Sequence, residues 1–575
     1  MALLSRKMTE FNRRGTSTAS YPKITWYQIP ATDGTTCFTI YVDSAKADDT
    51  GDGLTPATAK KTIAAGWALV GSNIGGSGVN LSRGDQMLLK RGATWTNEFL
   101  KDSGHARIDD GGNNHITKNG VSWNRPLVIG AYGSGARPKI NYSTNSNGLF
   151  GTDPGDTNNF IVVDSIEIAS AGSNTATCVG FSFLGITNNV LMQNCKATGF
   201  GCNFRIEGDD THRHTHTYFK GNICCDANCA VAAGTNASQG VFFSDCDHIV
   251  CEFNLFDANA WSSSVDYTIY RHNVYVQDGC TGVIWRYNTA TNGDGVQLKA
   301  GGECYQNVMS KCTVSLKYGV GDTPPAAGVN GLVAHNAFLE NIDPPAGSGP
   351  TGPLSFDAMN PLRAGMALYL ANLVGVSFSH NYFIGGVGTS ARTIWWVAMD
   401  VGGGVHRSLQ GCTFDSMISH NWGGQFLSLE ADILYSTGNK MKRCVFQNTT
   451  ATNKDPGLSP NYAVIDTFDN YANDDLALEN CVLSPNPAVT NPAGAVLNVG
   501  SLATWFTQMG AVGCSTTAIT YSAPDRSLGT YAGTVGLTAT HAAYITAMRA
   551  QDRDVAWDDR YTAPAVVSYI AAGFS

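Results

Sequence analysis

Residues 284–307 read IWRYNTATNGDGVQLKAGGECYQN. Two short runs that end on Asn, at Tyr287-Asn288 and Gln306-Asn307, bracket a third in which Val296 and Leu298 alternate with Gln297 and Lys299. Alternation of this kind marks a strand with one face toward a core. The same ending recurs at Gln193-Asn194, Gly221-Asn222, Phe253-Asn254, His272-Asn273, His335-Asn336, His380-Asn381 and His420-Asn421. Asn suits such corners because it tolerates left-handed backbone and its side chain can bond to the neighbouring rung. Self-similarity at roughly twenty to thirty residues predicts a solenoid.

A solenoid also accommodates the length. A chain of 575 residues exceeds what one ordinary core sustains, whereas a stack of coils lengthens without thickening. Only 14% of residues are charged and Gly numbers 64, which suits short strands and tight turns and points to an all-β fold. A net charge of −9 argues against a nucleic-acid partner. Met1 to Arg14 has only a three-residue apolar run, and nothing later is long enough to span a membrane. The 16 Cys, among them Cys195, Cys224, Cys251 and Cys304, sit in strand-like contexts and read as reduced core thiols. Cys224, Cys225 and Cys229 lack a second ligand pair at zinc-like spacing.

Outward from the repeat, residues 126–451 read as the solenoid with a groove, 37–125 as its N-terminal cap, 1–36 as an arm or attachment segment, and 452–575 as the last rungs and C-terminal cap. Residues 56–70 read as a capping helix with Thr55 as N-cap and Pro56 at its first position. Asp48, Asp49 and Asp52 in the preceding loop offer oxygen ligands for Ca2+, but the bidentate Glu of an EF-hand loop is missing, so an ordinary turn is the better reading and no cofactor is expected. Residues 540–549 and 562–572 have helical spacing, with Thr562 as an N-cap and Gly573 as a stop, and read as a lid over the open end of the core.

The segments YVD (41–43), GDG (51–53), TPATAKKTI (55–63), RGDQMLLKRGATW (83–95) and RPLVIGAYGSGARPKI (125–140) together resemble the N-terminal part of right-handed parallel β-helix proteins of the pectate-lyase-like group. That group holds polysaccharide lyases, some hydrolases and phage tailspikes. WDDRYTAPAVVSYIAAGF (557–574) resembles the closing segment of bacterial and phage members. The resemblance implies an all-β, right-handed solenoid that binds a cell-surface or capsular polysaccharide and depolymerises it. Its tailspike members imply a homotrimer attached to a virion and assembled in the host cytoplasm. The alternatives are a non-catalytic glycan receptor or structural spike, and an extracellular bacterial lyase.

Outward strand positions supply the candidate site. Val274, Val296 and Val314 stand about one coil apart and are expected side by side, which makes Arg205, Glu207, Tyr275, Gln277, Gln297, Lys299, Ser315 and Lys317 external. Residues 293–302, GDGVQLKAGG, resemble a family pattern H-G-x-Q-L-R-x-G-G, with Asp294 in place of His and Lys299 in place of Arg. Elimination across a uronate needs a cation for the carboxylate, a base and an acid. Lys299 with Arg205 or Lys317 suits the first, and Tyr275 or His272 the others. Hydrolysis needs two carboxylates, for which Asp294 with Glu207, Asp266 or Asp245 are candidates. The chemistry stays open between the two, with Glu207, Gln277 and Gln297 as substrate contacts. Alternation would also place His212, His214 and His216 on one face, as a metal site or, more simply, a polar turn. Trp261, Trp285, Trp395 and Trp396 are core residues or sugar platforms.

Overall fold

Runs that alternate apolar and polar residues cannot bury their apolar face alone; stacked coil on coil they share one core. The computed structural model describes residues 21–102, 116–152, 157–172, 178–209, 211–227, 238–259, 271–321, 327–342, 365–386, 393–398, 407–423, 425–431, 435–448, 465–467, 476–484 and 501–575. The chain winds as a parallel β-helix. Among the described residues a first sheet of 14 strands runs from Thr39–Val42 to Leu476–Glu479, a second of 13 from Thr94–Thr96 to Val482–Ser484, and a third of 10 from Val179–Leu184 to Ile465–Thr467. Each strand pairs in parallel with its counterpart one coil on, as Thr289↔Val308 and Tyr275↔Gln297 show.

Inward side chains stack like on like. Phe181 lies 5.1 Å from Phe204 and Phe378 lies 4.7 Å from Phe414, ring centre to ring centre, within a core continuous from Ile40 to Trp505. All 15 cysteines among the described residues are free and 14 are buried. Burial pushes the Cys195 and Cys202 thiols up to about 12, so they behave as small apolar groups. Val274 and Val296 are register partners, but the next in line is Leu316 rather than Val314, two residues from the expected position. In that register Gly295 stands beside Ser315, with no room for a Cβ between them.

The repeated Asn residues form a ladder. Asn222, Asn254, Asn288, Asn307 and Asn336 each receive through their side-chain oxygen the backbone N–H one coil before, or pass it to the next, up to Asn381. The left-handed backbone expected at Asn is found on Asn194 and Asn421, with φ 54° and 50°, whereas along the ladder it falls one residue earlier, on Gly221, Phe253, Tyr287, Gln306, His335 and His380, with φ between 52° and 62°. Only with the bend there can the Asn side chain lie along the coil axis and satisfy buried amides. Asn273 belongs to a second, shorter ladder with Asn203 and Asn259.

The N-terminal end is closed by a helix over Ile63–Leu69, not 56–70: Thr62 caps it by accepting from Ala65 N, and Ile63 and Trp67 enter the core. Residues 55–58 instead form a turn, because Asp49 holds the Lys61 and Thr62 amides and fixes the start. Asp48 and Asp52 likewise bond within the loop, to Thr50 and to Leu54 and Thr58. At the far end a helix over Leu502–Gln508 covers the core with Leu502 and Trp505. The helices predicted as a lid, observed at His541–Arg549 and Ala563–Ala571, lie elsewhere. They run back along the flank and cover Ile223, Leu255, Val308, Leu339 and Ile384, outward residues of the second sheet that are themselves apolar. Arg549 pairs with Asp226 and Asp257, and Asp552 with Arg91 and Arg137, tying this strap to coils far apart in sequence. Within residues 1–36, the first 20 lie outside the described residues. Tyr27 N–H donates to Gln193 Oε1 and Trp26 packs on Gly221 and Trp557, so residues 21–30 lie against the solenoid.

Candidate active site

Outward positions of the third sheet form one column. Register runs Ser182, Arg205, Phe242, Tyr275, Gln297, Lys317, Tyr369, Trp395 across eight adjacent strands. Strands stack about 4.8 Å apart, so Arg205 and Lys317 flank Tyr275 at about 10 Å on either side. The sequence reading thus places Arg205, Tyr275, Gln297 and Lys317 in line correctly, and Phe204, Ile206, Val274, Val276, Val296 and Leu298 in the core.

Exposure differs from expectation. Tyr275, Gln277 and Lys299 are half-buried, but Gln297 is 7% and Lys317 6% exposed. Gln297 Nε2 donates to the Val320 carbonyl at 3.0 Å, and the fully buried Ser315 donates to Asn341. Gln297 and Ser315 are therefore structural polar groups. The period of two shows which way a side chain points, not whether a loop covers it.

Lys317 reaches into a buried trio. Its ammonium lies 2.5 Å from Asp294 Oδ2, which also receives His272 Nδ1–H at 2.6 Å, and Thr313 donates to the other carboxylate oxygen. Burial opposes the Asp294 charge, yet Lys317 and the His272 hydrogen bond hold the carboxyl well below its usual range. Burial, with Lys317 adding to it, lowers His272 to about 4. The ring is neutral, and since Asp294 only accepts, the proton sits on Nδ1. With side chains 2% and 1% exposed, His272 and Asp294 do not meet a polymer directly, which corrects their expected catalytic roles. They hold Tyr275: the His272 ring centre is 4.9 Å from that of Tyr275, while Lys299 Nζ lies 5.3 Å over the Tyr275 ring.

Glu207 forms an ion pair with Arg205. It stands three strands and five positions from Asp294, on the order of 20 Å, against at most about 9.5 Å for paired glycosidase carboxylates. Asp245 pairs with Arg213 at 3.6 Å. Asp266 and Trp261 lie outside the described residues. Asp278, missed because it follows its strand, flanks the site: a Cβ on Gly321 would lie 3.3 Å from Asp278 Oδ2 and 3.7 Å from Lys299 Cδ. Trp285 and Trp396 are core residues, whereas Trp395 stacks on Tyr369 at 4.4 Å on the outer face and is fully buried.

The three histidines do not share a face. His214 is buried and its Nε2–H donates to the Glu207 carbonyl, burial lowering it to about 4. His212 bonds Asp209, and His216, at φ 57°, breaks the alternation and stacks on His248. Among the described residues no group of three or more His, Cys, Asp or Glu is placed to hold a metal ion, and no helix is long and apolar enough to cross a membrane.

Fold and site together define a parallel β-helix whose third sheet carries a polar and aromatic column on its outer face. No protein-family model and no curated protein sequence matches the chain. Similar solved structures include the PL6 family alginate lyase AlyGC, at 11% identity and TM-score 0.44, covering 77% of this chain and 52% of that one. Others are a GH136 lacto-N-biosidase from Eubacterium ramulus, at 14% identity and TM-score 0.37 over 73% of this chain and 66% of that one, and a rhamnogalacturonan lyase, at 11% and 0.37 over 69% and 83%. The chain spans about half the length of the alginate lyase. The fold assignment rests on the strand pairing itself.

Proposed function

We propose that the outer face of the third sheet binds an acidic polysaccharide and cleaves it by β-elimination. The observation that carries this reading is the Lys299 ammonium lying 5.3 Å over the Tyr275 ring, with that ring set by the buried His272–Asp294–Lys317 trio. Lys299 would neutralise the uronate carboxylate so that the adjacent C5–H becomes acidic. Starting as the phenolate, the Tyr275 oxygen would take that proton as the C5 electron pair forms the C4=C5 double bond and the C4–O bond breaks, and as the phenol would return it to the leaving oxygen, regenerating the phenolate. Arg205, Glu207 and Gln277 would contact neighbouring sugars along the column. Against the hydrolytic pairing of Asp294 with Glu207 stand their separation and an Asp294 that is buried, ionised and without a proton to give.

The setting we propose is a tailspike-like homotrimer on a virion, assembled in a reducing cytoplasm; its support is the set of free, buried thiols and the resemblance of the end segments. A trimer hides lateral surface and raises avidity for a repeating polymer. Mass photometry at micromolar concentration reads it directly, and a stable monomer would overturn it. For the reaction, incubation with a panel of capsular and uronate polymers should raise ultraviolet absorbance from the unsaturated product. New reducing ends without that absorbance would sink elimination in favour of hydrolysis. Binding with no product would leave a receptor.

A further inference from the structure

A second concave site lies on the first sheet, away from the column around Tyr275. A cavity of about 530 Å³ opens between the N-terminal arm at Pro22, Lys23 and Thr25 and the outer edge of the coils carrying Glu252, Arg286, Tyr305 and Ser379. At its centre Glu252, with a side chain 8% exposed, receives Lys220 at 2.8 Å and Arg286 at 2.7 Å, and Arg286 also donates to the Tyr305 hydroxyl at 2.7 Å. Around that ion pair stand rings: Phe253 on Tyr287 at 4.8 Å, Tyr287 edge-on to Tyr305 at 5.5 Å, and His335 stacked on His380 at 4.8 Å.

The backbone supplies an independent observation. Phe253, Tyr287, Gln306, His335 and His380, all lining the cavity, are the residues held at positive φ ahead of the Asn ladder. Left-handed backbone costs a side chain with Cβ about 1–2 kcal/mol, which Gly or Asn largely avoids. One coil earlier the same position is Gly221, where a Cβ would lie 2.3 Å from the Trp26 ring. Where the arm covers the corner the residue is Gly; where the corner faces the cavity it is bulky and mostly aromatic, at a conformational cost. Bulky residues at positive φ also turn other corners, at Phe160, His216 and Arg443, so what marks this run is that five of them in successive coils line one cavity.

We infer that this cavity is a second carbohydrate site, taking a short uncharged oligosaccharide. The volume is that of a small-molecule pocket. Aromatic walls suit the C–H faces of sugar rings, and the Glu252 carboxylate with the Arg286 and Lys220 donors suits hydroxyls. A neutral ligand follows from the charges: Lys220 and Arg286 share Glu252, Glu303 adds a second carboxylate to the wall, and Lys23 lies 3.6 Å from Asp559, so three cations meet three carboxylates and the cavity carries no net charge. The site goes beyond the proposed cleavage reaction and stands whether or not that reaction occurs.

The test is isothermal titration of the full chain with neutral hexasaccharides (cello-, malto-, manno- and galactohexaose), with hexagalacturonate as the charged comparator. Tyr287→Asn removes a ring while keeping a residue suited to positive φ, and His380→Asn does the same on the opposite wall. At least one neutral hexasaccharide should bind saturably, each variant should weaken it by about tenfold or more, and Lys299→Ala should leave it unchanged. The proposal is overturned if no neutral hexasaccharide binds, if both variants, shown folded by an unchanged thermal midpoint, bind as well as the parent, if the comparator binds in preference, or if Lys299→Ala is the variant that loses binding.

Discussion

Tyr275 and Asp294 sit in one cluster yet answer to opposite physics. Tyr275 and Lys299 are half-buried on an outward face, where substitution moves stability by less than about 0.5 kcal/mol. Tyr275→Phe and Lys299→Ala should therefore lower product formation by roughly a hundredfold or more while chemical denaturation stays superimposable on the parent; a variant that unfolds early would mark its residue as structural. Asp294→Asn inverts the pattern. It leaves the Lys317 ammonium, 6% exposed, beside a neutral amide, and breaking a buried pair in this way costs about 3 kcal/mol or more. A denaturation midpoint unchanged in that variant would show that Lys317 finds solvent. At this scale the sequence made the facing of Arg205, Tyr275, Gln297 and Lys317 legible, because alternation is a local property. What covers Gln297 and Lys317, and the fact that Asp294 bridges His272 and Lys317, were not legible: these depend on contacts across coils that local pattern does not encode.

Among the elements, strands and corners were the most readable. Each strand carries its own alternation, and each corner its Asn, although the left-handed residue is the Asn itself at Asn194 and Asn421 and the residue before it along the ladder. The ladder is energetically specific. Asn307 Nδ2 donates to the Trp285 carbonyl at 3.0 Å and to Asn336 Oδ1 at 2.9 Å, and Asn307 Oδ1 accepts from Asn288 N at 2.9 Å. Asn307→Ala strands a buried amide and a buried carbonyl, an expected loss of about 2–4 kcal/mol in urea denaturation; a loss within error would mean that water replaces the side chain. The helices were less readable in place than in type. His541–Arg549 and Ala563–Ala571 carry the right spacing, but a lid and a lateral strap need the same amphipathic stripe, so the destination was set by the apolar outer face of the second sheet. The signal that could have found it was Ile223, Leu255, Val308 and Leu339 on strand faces that a solvated sheet would make polar. Val566, fully buried between strap and sheet, tests the contact: Val566→Asp should release the strap and produce early proteolytic cleavage beyond residue 520 with new binding of an apolar dye. A strap that stays protease-resistant would show that the arginine–aspartate pairs hold it alone.

On the scale of the whole molecule, the solenoid spreads its polar burial over many coils, so acid acts on several distant points at once. Burial lowers His214, in the first sheet, to about 4, and does the same to His335 at the cavity and His541 on the strap; burial and then Lys317 lower His272. In the unfolded chain each would titrate near its ordinary value of about 6.5. Between pH 6.5 and 4 the unfolded chain therefore binds protons that the folded chain refuses, and stability falls as pH drops through that window. Below it, protonation of the depressed carboxylate of Asp294 works in the same direction, since a charge held by Lys317 is lost. The thermal midpoint should be level between about pH 7 and 8, fall through the window from 6.5 to 4, and fall less steeply there in His541→Gln, which removes one of these groups without touching the column around Tyr275. Because His541 lies 3.0 Å from Thr291 Oγ1 at the contact of strap and second sheet, protease sensitivity of the strap should rise over the same pH range. A midpoint that is flat from pH 7 to 4.5 would mean that these histidines take up protons without unfolding the coils around them, and that the strap and both sites keep their geometry in acid.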